Sequence, residues 1–450
     1  MILRHLLLPD ILDMLADGHF NELRDFFLEQ PAPEVAELFT VVTDKDRVLL
    51  FRVLPRQLAD EVFSLLDPIY QNQLLSEMAN EEIQPVLAAL SPDDRTALFE
   101  ELPARVTQRL LALLDDSDRK QALTLLSYPQ HSVGRLMTDR YVTVDPEWTV
   151  AQALEHLRKT GTDSETMSMI YITDETGHLR DDLPLRRLIL ADPGITVATL
   201  LDGHYASLHS QQDEEEAVQV FRKYDLHALP VVDEDNILLG IVTVDDILDV
   251  AADAATEDFH KLATVQPLQI SFKEATLGLL YRKRIGWLLG LILVNIFSGA
   301  GIKFFEDTIS SVVVLVFFLP LLIGSSGNAG AQASTLVVRA IATGEIDSAD
   351  WWKLLLREIG VSAIMGLAMS FAAFFLGWLH GGLSVGVVVA LSMFTVIVAG
   401  SLLGTVLPLI LNKLDLDPAT ASAPLITSVA DIFGVLIYFS IATALLPIAT

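Results

Sequence analysis

The chain has 450 residues, 51% of them hydrophobic, a formal net charge of −29 and no cysteine. Such acidity repels a phosphate backbone and is not drawn to anionic lipid headgroups, so nucleic acid is excluded as a partner and the natural counterpart is a cation. Without cysteine there are no disulfides, thiolate metal sites or cysteine nucleophiles.

The charge is unevenly spread. Residues 1–270 hold 21 Lys and Arg against 49 Asp and Glu, whereas residues 271–450 are nearly neutral and strongly apolar. An acidic soluble part therefore precedes a membrane part. At the N-terminus, "MILRHLLLPDILDML" breaks its apolar stretch with acids and a proline, so no cleaved secretion signal is expected. Up to about residue 130, runs such as "LFRVLPRQLADEVFSLLD" and "RVTQRLLALLDD" repeat Leu and Val at three- and four-residue spacing between prolines. This predicts helices of two to three turns, unstable singly and stable when stacked as a helical-repeat domain with a packing or interaction role.

Residues 134–254 repeat internally. "LMTDRYVTVDPEWTVAQALEHLRK" from Leu136 is echoed by "LLDGHYASLHSQQDEEEAVQVFRK" from Leu200, and each copy runs on to an apolar strand and a helix. The closing "GIVTVDDILD" makes the pair resemble tandem CBS domains, α/β modules whose usual work is regulation rather than catalysis. In the helix that follows, Asp246, Asp249, Asp253 and Glu257 are confined to an arc of about 80°, a stripe of like charges that repel unless cations screen them.

Five apolar segments then appear, at about 285–305, 310–341, 354–379, 383–411 and 424–447, each long enough to cross a bilayer. Arg282, Lys283, Arg284, Arg339, Lys353, Arg357 and Lys413 flank them on one side and Lys303 alone on the other, which places the N-terminal part in the cytoplasm. The second segment contains "PLLIGSSGNAGAQAS". Pro320 and the glycines Gly324, Gly327 and Gly330 are expected to weaken the helix, either freeing carbonyls toward a cation pathway or kinking a tightly packed span.

The fifth segment holds Asp431, read as the only ionisable residue deep within any span. A charge at the centre of a bilayer costs about 2.5–3.5 kcal/mol, and such residues usually serve function. Thr427 and Ser428 lie within one turn of it; with the Asn328 amide they offer the hard oxygen donors that suit Mg2+ or its hydration water. The rival is a structural aspartate satisfied by those hydroxyls. One charge per chain is thin for a hydrated divalent ion, which favours a homodimer with two Asp431 copies facing one ion on the twofold axis.

Taken together, "LPVVDE", "GIVTVDDILDV", "ATEDFHKL" and "GNAGAQAS" in this order resemble the MgtE family of Mg2+ channels and transporters over essentially the whole chain. The resemblance implies a multidomain α-helical membrane protein. It comprises an acidic helical N-domain (1–130), CBS domains (131–195 and 196–252), a connecting plug helix (253–280) and a five-helix transmembrane domain (281–450). It further implies a homodimer of the bacterial inner membrane that imports Mg2+ and is not an enzyme, with Mg2+ as both substrate and regulator closing the pore.

Carried over by position, Asp431, Asn328, Gly324, Gly327 and Thr427 look like pore residues. Glu61, Asp93, Asp94, Glu215, Asp225, Asp246, Asp249, Asp253, Glu257 and Asp258 look like regulatory ligands. Two unit charges 4 Å apart repel by about 4 kcal/mol at an effective dielectric of 20, so bound Mg2+ has repulsion to relieve when such domains close.

The chain departs from the family pattern at Ala331 and Ala423, where asparagines are frequent, and at Ala254, which is often acidic. Leu183, Pro184 and Arg187 argue against the ATP site some relatives have. Two other classes stand beside the channel. One is a coupled or less selective carrier of Co2+, Mn2+ or Ni2+, for which repeated halves and more ionisable residues are expected. The other is an intramembrane aspartyl enzyme, which needs two carboxylates in one site.

Overall fold

Prolines and polar caps cut the N-terminal sequence into short helices. Pro68 and Pro92 open theirs, while the side chains of Thr43, Ser91 and Asp115 accept the backbone N–H three residues on. The computed structural model describes residues 7–266, 275–343, 345, 351–414 and 416–446. Among these, ten helices of this kind run from Leu8–Ala16 to Asp116–Ser127. Each turns one apolar face into a shared core that includes Leu23, Phe27, Phe39, Leu50, Phe63, Leu74 and Leu87. That burial stabilises helices too short to persist alone.

The repeated segment folds twice into the same motif. β1 (Thr143–Val144) pairs in parallel with β2 (Met169–Thr173), which pairs antiparallel with β3 (Leu179–Pro184). β4 (Leu208–His209), β5 (Ala228–Val232) and β6 (Leu238–Thr243) repeat that order. Helices Val150–Thr160 and Glu214–Tyr224 provide the parallel crossovers, capped by Thr149 and Asp213. Met169, Tyr171 and Leu179 of the first copy share a small core with Val232, Leu238 and Ile241 of the second, so neither copy stands alone. These elements and the helical domain form one unit, Met1–Ala251, and the remainder forms another, Ala252–Thr450.

Among the described residues of the second unit, four long apolar helices supply five stretches long enough to cross a membrane. The first span is Leu277–Phe304, and a 3-10 turn (Val313–Phe318) leads into the second, Leu319–Ala342. Helix Trp351–Lys413 is broken at Gly382, whose φ of 78° lies in the region glycine adopts without strain, so it comprises the third span up to residue 381 and the fourth from residue 383. Ala423–Leu445 is the fifth.

Pro320 corrects an expectation. It lies in the first turn of the second span, where no backbone donor is needed, and the helix continues unbroken to Ala342. The proline therefore starts this helix and neither kinks it nor frees carbonyls within it.

Glycines serve close approach instead. A Cβ on Gly330 would lie 2.7 Å from the Gly400 carbonyl oxygen, and one on Gly404 or Gly400 would collide with the carbonyl of Gly330 or Ser326. Ser326 and Gly330 of the second span thus interlock with Gly400 and Gly404 of the fourth, small residues four apart facing small residues four apart. Ser326 Oγ donates to the Val396 carbonyl across the same seam at 2.9 Å. Gly404→Leu is therefore expected to destabilise the membrane unit by about 1–3 kcal/mol or more through overpacking, read as a lower thermal midpoint in detergent.

Candidate ion pathway and acidic cluster

Asp431 sits eight residues into the fifth span, about 12 Å along the helix. Its side chain is partly buried. Oδ1 is shielded from solvent and accepts no hydrogen bond from Thr427, Ser428 or any other described residue. The surroundings follow from the packing of the second and fifth spans, which run antiparallel. A Cβ on Gly327 would come within 2.8 Å of Thr427 Cγ2, and one on Gly434 would lie 3.9 Å from Ile323 Cα. Asp431 falls between those two contacts, level with Gly324, where nothing lies within 4 Å of a Cβ position. Gly327 and Thr427 therefore press the helices together, and Gly324 leaves room beside the carboxylate.

Asn328 is exposed on the second span, as is Gln332 four residues on, so Gly324, Asn328 and Gln332 share one outward face. No hydrogen bond to Asp431 within one chain is formed by Asn328.

A second acid lies inside the membrane segments. Glu358, in the third span, accepts a 2.7 Å hydrogen bond from Ser401 Oγ of the fourth, and Ser401 is fully buried. Asp431 is thus not the only ionisable side chain within the spans. Glu358 falls two turns inside the helix and beside Arg357, so in sequence it reads as part of the polar flank.

The first unit gathers a separate acidic group. Asp93 and Asp94 occupy the first turn of helix Pro92–Glu101, where the helix dipole favours negative charge. Asp93 is only 8% exposed and its Oδ1 has no hydrogen-bond partner. Asp246, at the start of helix Val244–Leu262, accepts from Thr243 Oγ1 at 2.6 Å. Burial, and then the neighbouring charge of Asp93, pushes its carboxyl up to about 8. The same two causes push Asp94 up to about 6. Burial raises Asp93 itself, with Arg140 as an opposing charge. Glu165 is raised by burial and by Asp93, and Asp245 adds to the field on Asp94 and Asp246. Residues of the helical domain and of both repeat copies therefore meet here. Glu165 and Arg140 lie in loops without periodicity, which is why sequence pattern missed them.

The other expected regulatory residues are not brought into this group. Glu61 is exposed on helix Arg56–Ser64, and Asp60 beside it is the carboxyl raised by burial. Glu215 and Asp225 lie at opposite ends of helix Glu214–Tyr224, about 15 Å apart. Asp225 caps that helix in the left-handed region, at φ 53° and ψ 44°. Asp249 and Asp253 are exposed. Glu257 pairs with Lys261 at 2.6 Å, and Asp258 is raised by burial and then by Asp417. Arg187 pairs with Asp202 at 3.3 Å. Among the described residues no three Asp, Glu or His side chains converge closely enough to chelate an ion directly. Mg2+ commonly keeps several of its waters and is held at longer range through them.

Comparison with known proteins places three family descriptions along the chain. Residues 319–441 match the family model for MgtE divalent cation transporters and residues 30–131 that for the MgtE intracellular N domain. Residues 133–194 and 197–253 match CBS domains. The magnesium transporter MgtE of Thermus thermophilus is 36% identical over 437 residues, covering 96% of this chain and 97% of its own. The magnesium transporter MgtE of Bacillus subtilis is 35% identical over 436 residues, covering 96% of each. Among solved structures, the cytosolic domain of the Mg2+ channel MgtE in complex with ATP is 35% identical and has a TM-score of 0.52. That match covers 54% of this chain and 99% of the other.

Proposed function

The chain belongs to the MgtE family of magnesium transporters, and from that premise we propose that it is a Mg2+-selective channel. In this reading it imports the ion across the inner membrane of a bacterium as a homodimer, and Mg2+ bound to its acidic cytosolic domains closes it. Its kinship is with transporters rather than enzymes.

One observation carries the reading. Asp431 keeps a buried carboxylate oxygen without any hydrogen-bond donor, level with the open space at Gly324. A charge at that depth costs about 2.5–3.5 kcal/mol, and a hydrated cation passing beside it offsets the cost. Two copies about a twofold axis double the charge offered to one ion. The outward face of Gly324, Asn328 and Gln332 supports that arrangement, since hydrocarbon cannot hydrogen-bond amides and a second copy or a water-filled passage can. Thr427 and Gly327 contribute by fixing the helix spacing. Glu61, Glu215, Asp225, Asp249, Asp253, Glu257 and Asp258 serve as further acidic surface for regulatory Mg2+.

The group around Asp93, Asp94 and Asp246 is the sensor core. Carboxyls with raised pKa values are most at ease together when protonated, so in Mg2+-free buffer the docking of helical domain on the repeat pair is strongest at low pH. It weakens as pH rises from the ordinary carboxyl value of 3.8, with the loss complete at about 6 for Asp94 and about 8 for Asp246. A distance label pair on the two domains should separate progressively from pH 3.8 to about 8 without Mg2+ and close again on its addition. Equal separation across that range would overturn the sensor assignment.

Glu358 favours a second reading, a coupled carrier, because intramembrane acids also relay protons. Flux into proteoliposomes decides between them when measured for Mg2+, Co2+, Mn2+ and Ni2+, with and without internal Mg2+ and with an imposed pH gradient. A passive channel passes Mg2+ down its own gradient, is indifferent to the proton gradient and stops when internal Mg2+ is high. Uptake driven by protons sinks the channel reading.

A further inference from the structure

Ser117, Lys120, Gln121 and Thr124 recur at helical spacing and so share one face of helix Asp116–Ser127, the last of the helical domain. That face forms one wall of a cleft of about 290 Å3. The opposite wall comes from the repeat pair, with Met137 and Asp139 in the segment before β1 and Leu239 on β6. Pro92, at the start of helix Pro92–Glu101, completes the lining.

Both walls are fixed by buried contacts. Arg95, 1% exposed, donates from Nη2 to Gln121 Oε1 at 2.5 Å and pairs with Asp118 at 3.4 Å, which holds the helix face in place. On the other side Thr138 exchanges two backbone hydrogen bonds with Ile241 of β6, each 2.9 Å, and a Cβ on Gly240 would lie 2.8 Å from the Thr138 carbonyl oxygen. The cleft is therefore formed before any ligand enters, which keeps the ordering cost of binding low.

Its lining divides by chemistry. Leu125 and Met137, each 5% exposed, and the buried Pro92 give an apolar floor. At the rim stand two exposed charges of opposite sign, Lys120 and Asp139, and neither side chain hydrogen-bonds or ion-pairs with a described residue. A free anion would meet Asp139 and the chain's net charge of −29, and a metal cation would meet Lys120. A molecule with one carboxylate and one ammonium meets neither penalty, because the first pairs with Lys120 and the second with Asp139 while an apolar remainder covers the floor. The volume lies at the small end of ligand pockets, so the molecule is of metabolite size.

We propose that this cleft binds a small zwitterion with an apolar body, of which a free aliphatic amino acid is the simplest example. Because one wall belongs to the helical domain and the other to the repeat pair, the bound molecule ties the two together. The inference goes beyond the transport reading and does not depend on it.

Isothermal titration of the full-length protein in detergent tests the site, with leucine as the probe. Leucine is expected to bind with a Kd below about 1 mM. Isocaproate and isoamylamine, which each lack one of its charges, should bind at least about tenfold more weakly. Lys120→Met and Asp139→Asn, both at exposed positions, should each weaken leucine by at least about tenfold and leave the thermal midpoint of the ligand-free protein unchanged. Thr124→Trp fills the cleft from its rim and should abolish binding while sparing both charges. Absence of saturable leucine binding, or binding that survives all of these substitutions, overturns the proposal. Equal affinity for isocaproate or for isoamylamine removes the zwitterion and overturns it as well. The readout is heat of binding, so loss of Mg2+ flux in the same preparation bears on the transport reading alone.

Discussion

Asp431→Ala is expected to abolish Mg2+ flux while the protein still folds and assembles. The carboxylate stands in a membrane helix with one oxygen shielded and unpartnered, so no internal hydrogen bond is lost when it is removed. What is lost is its attraction for the ion. At about 5 Å and an effective dielectric of 20, each unit of ionic charge contributes about 3 kcal/mol. A divalent ion passing two such carboxylates therefore loses enough that flux falls by more than about a hundredfold. Asp431→Asn keeps the volume and one oxygen donor and is expected to be equally inactive, because charge and not shape is at issue. Flux in proteoliposomes, with size-exclusion profiles matched to the parent, checks both. Parent-like flux through either variant removes the pore role.

Deleting residues 1–260 is expected to leave a pore that still passes Mg2+ but no longer closes when internal Mg2+ rises. The deletion removes Asp93, Asp94, Glu165 and Asp246, the crowded carboxyls proposed above as the sensor core, and keeps the five spans. A ligand shifts a conformational equilibrium only through its different affinity for the two states, and without the acidic group that difference is gone. The half-blocking internal Mg2+ concentration should rise by at least about tenfold, within the range of couplings of about 1–3 kcal/mol. Patch recordings of the truncated protein provide the measurement, and persistent block at millimolar Mg2+ would place the sensor in the membrane unit.

The membrane spans and the internal repeat were legible because each rests on local pattern. Twenty apolar residues in a row leave few alternatives, and the echo from Leu136 to Leu200 reappears as two three-stranded sheets of the same order. Asp431 was legible for the same reason, as a charge out of place in its own segment. Asp246 stands out by the spacing of its acidic helix, whereas Asp93 and Asp94 are reached through resemblance, and no spacing shows that the first helix turn of one domain meets that of another. Pro320 was misjudged by its company: among glycines it reads as a break, yet the preceding 3-10 turn makes it the first turn of the helix. Ser401 with Glu358 and Lys261 with Asp417 are pairs between residues distant in the chain, and no local rule reports them.

The bend at Gly382 ties the third and fourth spans into one mechanical piece. One residue reverses the chain between the third and fourth spans, and Gly377 and Gly386 meet closely just beneath it, with a Cβ on Gly377 only 2.8 Å from Gly386 Cα. No loop lies between the two helices, so a change of backbone at residue 382 cannot be absorbed locally and is passed to both spans at once.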